Sequence, residues 1–359
     1  MFCVTKLNSG GIQNYLLRFI THHKKELTAY VICKSGVKGE DLVDDFESLG
    51  VKIIPLRLAY FNFIGYWKLF KFLKKEQFDS ICDFTGNFAA LPLLIGKLSG
   101  IKKRIAFFRK DTNTFKETKL RLTYNKFLNL LLPKVTTKIL SNSKSNLNFF
   151  FARTWEIKPQ YEVIYNGINA NDFLSTREDL RDVLNIPNDA YVTGHVGRYN
   201  EAKNHKTVID VAIKLCKLDI NNYFVFCGKN TNVFLKERVA QEGLEKQIKL
   251  LGERKDVIKV LNTLDCFYFP SLSEGQPNAL IEALVAGLPF VASNIEPHKE
   301  TIPESHYKQL IDPLDGESAI KKIKKIKEDK LFAKSLILKD WVITKYNPEI
   351  LFNQFYARL

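Results

Sequence analysis

Short runs of apolar, β-branched and aromatic residues alternate along the chain with longer stretches whose apolar positions recur at the helical spacing. In the first half the short runs predict strands over 2–5, 27–33, 51–56, 79–83, 104–108, 138–141 and 161–164. The periodicity between them predicts helices over stretches such as 12–23, 63–75 and 119–132. The pattern then restarts, with strands predicted over 191–196, 223–227, 248–251, 266–269 and 290–292, each separated by a segment of helical period. Strands that alternate with helices imply parallel sheets covered by helices, so the expected class is α/β with two doubly wound, Rossmann-like sheets in tandem. Turn-forming residues from N-G-I-N to I-P-N-D mark a linker over 166–189. The expected division is 1–168 and 169–340, with a tail over 341–359 whose Leu351, Phe352, Phe355 and Tyr356 suit a helix packing back on the first domain.

The length, 359 residues, agrees with two domains, and 45% hydrophobic with 26% charged residues is the balance of a globular chain. No apolar run approaches the length of a membrane span, and the first residues lack the basic and apolar segments of a secretory leader. Cys3, Cys33, Cys82, Cys216, Cys227 and Cys266 sit singly, mostly inside apolar runs, as buried thiols of a reducing compartment do. The expected location is the cytoplasm. The lysine run over 321–330, interleaved with Ile320, Ile323 and Ile326, reads as a solvated helix face.

Charge changes this picture. Lys plus Arg number 54 against 39 acids, a net +15, and the first 180 residues hold most of the excess, with 28 basic and 16 acidic side chains. Such a half attracts polyanions: nucleic acid, anionic headgroups and diphosphate-linked substrates all satisfy the charge. Nucleic acid is the least economical of these, because the basic residues show no recognised binding motif.

Three segments of the second half together describe a site for a nucleotide diphosphate. In G-H-V-G-R-Y-N-E-A-K-N-H (194–205) a strand ends in glycine and is followed by Arg198 and Lys203. Ligands of open parallel sheets bind at the carboxyl ends of strands, and a guanidinium fork with a mobile ammonium suits a diphosphate leaving group. The competing reading is a charged surface loop with Asn204 capping the next helix. In S-L-S-E-G-Q-P-N-A-L-I-E-A-L-V-A-G-L-P (271–289) an apolar strand leads to a helix start, with Pro277 suited to the first turn and Gly275 allowing close backbone approach. Free N–H groups there meet a phosphate, while Glu274 before the helix and Glu282 one turn inside it accept hydrogen bonds from sugar hydroxyls. The competing reading makes both merely acids near a helix start. In L-L-G-E-R-K-D-V (250–257) a turn holding Arg254 frames a base, or Arg254 is a surface residue. In the first half, S-G-G-I-Q-N-Y (9–15) joins the opening strand to its helix through Gly10 and Gly11, as a ligand-facing loop or as a plain turn.

Taken together these residues resemble the retaining family 4 glycosyltransferases of the GT-B type, over nearly the whole chain. The most specific element is the E-x7-E pattern of Glu274 and Glu282, with the paired cations, the N-G-I-N entry and the S-G-G-I loop in the family's order. The resemblance implies two Rossmann-like domains facing across a cleft, the second binding the nucleotide-sugar and the first the acceptor. It implies transfer of a glycosyl group from a UDP- or GDP-sugar with retention and without a metal or other cofactor. Arg198 and Lys203 would hold the diphosphate, Glu274 the donor sugar and Glu282 the ribose. Backbone N–H groups around the segment Gly275, Gln276, Pro277, Asn278 and Ala279, with those of Gly10 and Gly11, would complete the phosphate cradle. Members often extend lipid-linked saccharides of capsule, exopolysaccharide or O-antigen. The sequence departs at R-I-A-F-F-R-K-D-T-N (104–113), where Arg109 stands near the place of a histidine common in the family.

On the acceptor side, F-N-F-I-G-Y-W-K-L-F-K-F-L-K-K (61–75) combines apolar residues with four lysines, as a helix at an anionic membrane surface does, and 102–126 is a second basic stretch. Helices packed on the sheet with their lysines in water are the competing reading. Two other functions stay open: a nucleotide-sugar 2-epimerase of the same architecture, and a degenerate transferase that binds nucleotide-sugar without turnover.

Overall fold

Each predicted strand is present, and the first seven form one sheet. They are β1 (Phe2–Val4), β2 (Tyr30–Cys33), β3 (Lys52–Pro55), β4 (Ser80–Asp83), β5 (Lys103–Phe108), β6 (Lys138–Ser141) and β7 (Tyr161–Val163), in the order β3-β2-β1-β4-β5-β6-β7 with every neighbouring pair parallel. The second sheet contains β8 (Tyr191–Val196), β9 (Asn222–Cys227), β10 (Ile248–Leu250), β11 (Cys266–Phe269) and β12 (Phe290–Ala292), ordered β10-β9-β8-β11-β12 and again parallel. This computed structural model describes residues 1–59, 62–109, 118–152, 154–174 and 178–359.

The chain divides into two units, Met1–Gly167 with Pro348–Leu359, and Ile168–Asn347. In the first, helix α1 (Gly11–His22) buries Tyr15, Leu16, Phe19 and Ile20 on one face of the sheet. Helices α2 (Phe63–Glu76), α3 (Ala90–Leu98) and α4 (Lys119–Val135) contribute Leu69, Leu73, Leu93, Leu128 and Leu132 to the core on the other. Local chemistry fixes the ends of α2: Asn62 Oδ1 accepts from Gly65 N at 3.0 Å, and Gln77 closes the helix in the left-handed region. In the second unit, α5 (His205–Leu218) and α7 (Gly316–Glu328) cover one face of the sheet, and α6 (Asn278–Val285) follows β11. The lysine run belongs to α7, which buries Ala319, Ile320, Ile323 and Ile326 and leaves most of its lysines in water.

The expected tail helix is two helices. Helix α8 (Lys339–Lys345) packs on α6 and stays with the second unit. Pro348, which cannot continue a helix, opens α9 (Pro348–Tyr356) on the first unit. Phe352 lies 5.6 Å from Tyr15 and Phe355 4.6 Å from Phe19 between ring centroids, and burying each phenyl contributes about 2–3 kcal/mol. Arg358 then grips Glu162 with two bonds of 2.8 Å, which holds that carboxyl below its ordinary range. All six cysteines are buried and free, and burial raises the thiols, Cys33 and Cys227 to about 11. Among the described residues no helix is long and apolar enough to cross a membrane.

Candidate active site

In both sheets the strand order reverses beside the first strand of the unit, between β1 and β4 and between β8 and β11. Loops leaving the carboxyl ends of such neighbours diverge to opposite faces and open a crevice where ligands bind.

In the second unit the loop after β8 carries Gly197, Arg198 and Lys203, and the loop after β11 carries Glu274 ahead of α6. The two loops are stitched together. Leu272 N donates to Ala202 O at 2.8 Å, and Asn204 Nδ2 donates to Pro270 O at 3.1 Å and to Pro313 O at 2.7 Å. Asn204 begins α5 in the left-handed region without capping it through its side chain, so the capping role expected from sequence gives way to this bridge. The stitch brings Lys203 Nζ onto Glu274 Oε1 in a short ion pair, while the same ammonium stands 4.5 Å over the Phe269 ring. Glu274 is only 10% exposed and Lys203 19%, so their attraction is little screened. Arg198 is exposed and has no carboxylate partner among the described residues. Lys203 and Glu274 therefore meet directly, and Arg198 shares their loop.

Helix α6 begins at Asn278, with Pro277 one residue before it rather than in its first turn, and its first turn holds no acid. Gln276 and Pro277 are buried, Gly275, Asn278 and Ala279 half-buried, and Glu282 lies in the second turn. Arg254 is placed differently from the expected base frame. Its guanidinium is committed to Asp256, Nε to Oδ1 at 2.8 Å and Nη2 to Oδ2 at 2.7 Å, which holds the Asp256 carboxyl low.

Sequence reasoning missed three supports. Gly228 has φ 148°, and a Cβ there would meet Gly197 O at 2.1 Å, so only glycine lets β9's end press on the Gly197–Arg198 peptide. His195 is buried under the site, with Nδ1 3.0 Å from Tyr268 O and its ring stacked on Phe269; burial and the neighbouring His205 keep it neutral. His298 lies against Ser293, Nδ1 2.9 Å from the backbone oxygen, and burial lowers it to about 4 although Glu274 pulls the other way. The signals in sequence were a glycine at a strand end and a histidine, His195, inside a strand run; His298, in I-E-P-H-K-E, gave none.

The reversal point of the first unit is built otherwise. Lys34 follows β2 and spends all three protons internally, on Asp83 Oδ2 at 2.9 Å, Thr85 Oγ1 at 2.7 Å and Phe88 O at 3.0 Å. Asp83 is fully buried, and its other oxygen accepts from Thr85 N and Oγ1. Beside this pair lies a cavity of about 220 Å³ walled by Leu58, Tyr66, Phe88, Leu91, Tyr124 and Leu128. A larger one, about 790 Å³, lies by Met1, Ser80 and Lys103 at the amino ends of strands, the wrong edge for a ligand site of this topology.

Gly10 and Gly11 bridge β1 to α1; Gly10 is extended, and a Cβ on Gly11 would meet nothing within 4 Å. The exposed face of α2 presents Phe63, Ile64 and Trp67 in its first turns and Lys68, Lys71, Lys74 and Lys75 after them. Phe61, residues 110–117 of the second basic stretch, which include 110–113 of the Arg109 loop, and 175–177 of the linker lie outside the described residues.

The strand order and parallel pairing of the two sheets are those of the GT-B fold, and comparison with known proteins agrees. Residues 176–339 match the family model of glycosyl transferases group 1. The chain is 28% identical to the capsular polysaccharide biosynthesis glycosyltransferase CapH of Staphylococcus aureus over 333 residues, 90% of each protein. It is 26% identical over 338 residues to an Escherichia coli UDP-Gal:alpha-D-GlcNAc-diphosphoundecaprenol alpha-1,3-galactosyltransferase, covering 90% of this chain and 86% of that protein. Among solved structures it is similar to Anabaena HepE in complex with UDP, with TM-score 0.83, 16% identity and coverage of 99% and 98%. Over residues 176–339 the chain is thus similar to the group 1 glycosyltransferases, over most of its length to a glycosyltransferase of capsule synthesis, and over 44% of it to one of O-antigen synthesis.

Proposed function

We propose that this protein transfers a hexosyl-type group from a UDP-sugar to a lipid-linked saccharide, with retention at the anomeric carbon, in the synthesis of a surface polysaccharide. The observation that carries the reading is the convergence of Lys203 and Glu274 at the β8/β11 reversal point, with Arg198 on the same loop and the acid-free start of α6 behind them.

As the bond from the sugar to the diphosphate breaks, negative charge collects on the leaving phosphate. In this reading Arg198 and Lys203 neutralise it. Without ligand, Lys203 and Glu274 satisfy each other. A diphosphate competes for the ammonium and releases the Glu274 carboxylate to accept from sugar hydroxyls, so the pair is a site held ready rather than a structural strut. Glu282, a turn into α6, is assigned to the ribose. The donor base rests on relatives: HepE is crystallised with UDP and with UDP-glucose, and the galactosyltransferase's name specifies UDP-Gal and a diphosphoundecaprenol acceptor.

The first unit is assigned to the acceptor, and α2 to the membrane that carries it. Phe63, Ile64 and Trp67 are apolar and exposed while the lysines behind them match anionic headgroups, the arrangement of a helix lying in the interface. The protein should sediment with anionic vesicles at low salt; full retention in the supernatant would remove this part.

The deciding test is a thermal-shift panel of nucleoside diphosphates and nucleotide-sugars, with Lys203→Ala alongside. A ligand at a hundred times its Kd adds about 2.7 kcal/mol of stability. Uridine ligands should raise the melting temperature of the native protein and not that of the variant. No shift with any of them would overturn the donor site.

A further inference from the structure

The cavity beside Lys34 and Asp83 has no part in the donor chemistry. It measures about 220 Å³ and lies where α2, α3 and α4 begin, by the carboxyl ends of β2 and β4. Its walls are Leu58, Tyr66 of α2, Phe88, Leu91 of α3, and Tyr124 and Leu128 of α4, side chains that belong to or pack against the core on this face of the sheet. All but Leu128 are only half-buried, so the core stays open here.

Polar chemistry around the space is already closed. The Lys34 ammonium is spent on Asp83, Thr85 and Phe88 O, the Thr85 hydroxyl donates to Asp83, and Asp83 also accepts from Thr85 N. Apart from the two tyrosines, the remaining polar lining is Thr5 and Ser35, both exposed to water. A saccharide buried here would leave hydroxyls unsatisfied, which is costly, whereas a hydrocarbon needs no partner. A cavity of about 150 Å³ with apolar walls takes up benzene, so this space admits a chain of roughly ten carbons.

Helices α2 and α4, on either side of α3, both turn apolar side chains to water from the same edge of the sheet. Helix α2 exposes Phe63, Ile64 and Trp67 in its first turns, and α4 exposes Leu122 in its first turn with Phe127 and Leu130 beyond it. Lys68 and Lys71 accompany the first set, Arg121 and Lys126 the second. Apolar residues beside cations suit a bilayer surface with anionic headgroups, and a chain drawn from that surface into the cavity exchanges one apolar surrounding for another.

We propose, on the lipid-linked acceptor read above, that this cavity takes the first carbons of the hydrocarbon chain that carries the saccharide. Preference for a lipid-linked over a free saccharide then resides in the space between Leu58 and Leu91.

The test is thermal shift on the full chain with geraniol, an uncharged prenyl alcohol that offers Arg198 and Lys203 no phosphate. At about ten times its Kd it should raise the melting temperature by about 3 °C or more. Leu91→Trp and Leu58→Phe fill the space from different sides; each should cut that shift at least fivefold and leave the response to UDP unchanged. Filling a void keeps the unliganded melting temperature near or above that of the native protein, which shows that the fold survives. An equal response to n-octanol assigns the space to acyl chains, a much weaker one to prenyl chains. A geraniol response that is absent, or that neither variant reduces, would overturn the proposal, as would a shift with methyl α-glucoside that Leu91→Trp removes. Failure of the transferase reading shows separately, as no response to UDP in the native protein with the geraniol result unchanged.

Discussion

The two units share one strand order and one reversal point, yet each treats its buried charge in an opposite way. In the first, Lys34 and Asp83 close on each other and on their own loop, with every proton of the ammonium spent. In the second, Lys203 and Glu274 meet through one bond across two loops, on the loop of Arg198, which has no carboxylate partner among the described residues. A saturated pair fixes a loop; an unsaturated one can be opened by a ligand. Topology supplies the place, and the number of unspent donors decides whether the place is a strut or a site.

The comparison is broken most directly by removing one acid from each unit. Asp83→Asn strands a buried ammonium and should cost about 3–5 kcal/mol of stability, measured by urea denaturation. A loss below about 1 kcal/mol would mean that the pair does not hold the loop. Glu274→Ala should do the reverse: transfer should fall by about 10²-fold or more while the protein melts near its normal temperature. Wild-type turnover in that variant would remove Glu274 from the site.

Acid sharpens the contrast. His298 is neutral in the fold, lowered to about 4 from 6.5 by burial. Between those values the unfolded chain binds the extra proton, so this contribution is complete above about pH 6.5 and lost as the pH falls towards 4, about 3 kcal/mol in all. His195 and His205, lowered in the same direction by burial, add to it in the same unit. Melting followed from pH 7 to 4 should show a steep decline that His298→Asn makes shallower; an unchanged slope would sink the assignment.

The smallest effect is the most selective. Gly11→Ala adds a methyl that meets nothing within 4 Å, so stability should change by no more than about 0.5 kcal/mol. If turnover nevertheless falls, the empty space is one that a ligand fills, and normal turnover would make the glycine pair a plain turn.

Much of this was readable in advance, for identifiable reasons. Strands such as Tyr191–Val196 and Cys266–Phe269 are apolar runs bounded by turn residues, so their limits were legible to the residue. At the second strand the run over 27–29 misled, because Leu27 N returns to His23 O and closes the turn after α1 before the ladder begins at Tyr30. Lys203 and Glu274 were singled out because strand ends and helix starts are where such topologies bind anions, and the structure brings the two together. What stayed hidden depends on contacts between distant segments: the Asn204 bridge, Gly228 against Gly197, and the burial of Arg109 against Tyr15. The Arg254–Asp256 pair spans two residues and was open to view, but only the fixed turn shows that the fork is already occupied.

The path of the chain also has a consequence for its manufacture. The first unit borrows its last helix, α9, from residues that follow the whole of the second. A ribosome therefore releases a nearly finished amino-terminal sheet whose Phe19 and Tyr15 stay uncovered for some 180 further residues, until Phe352 and Phe355 arrive. A nonsense mutation just before Pro348 would thus injure the part of the protein made first.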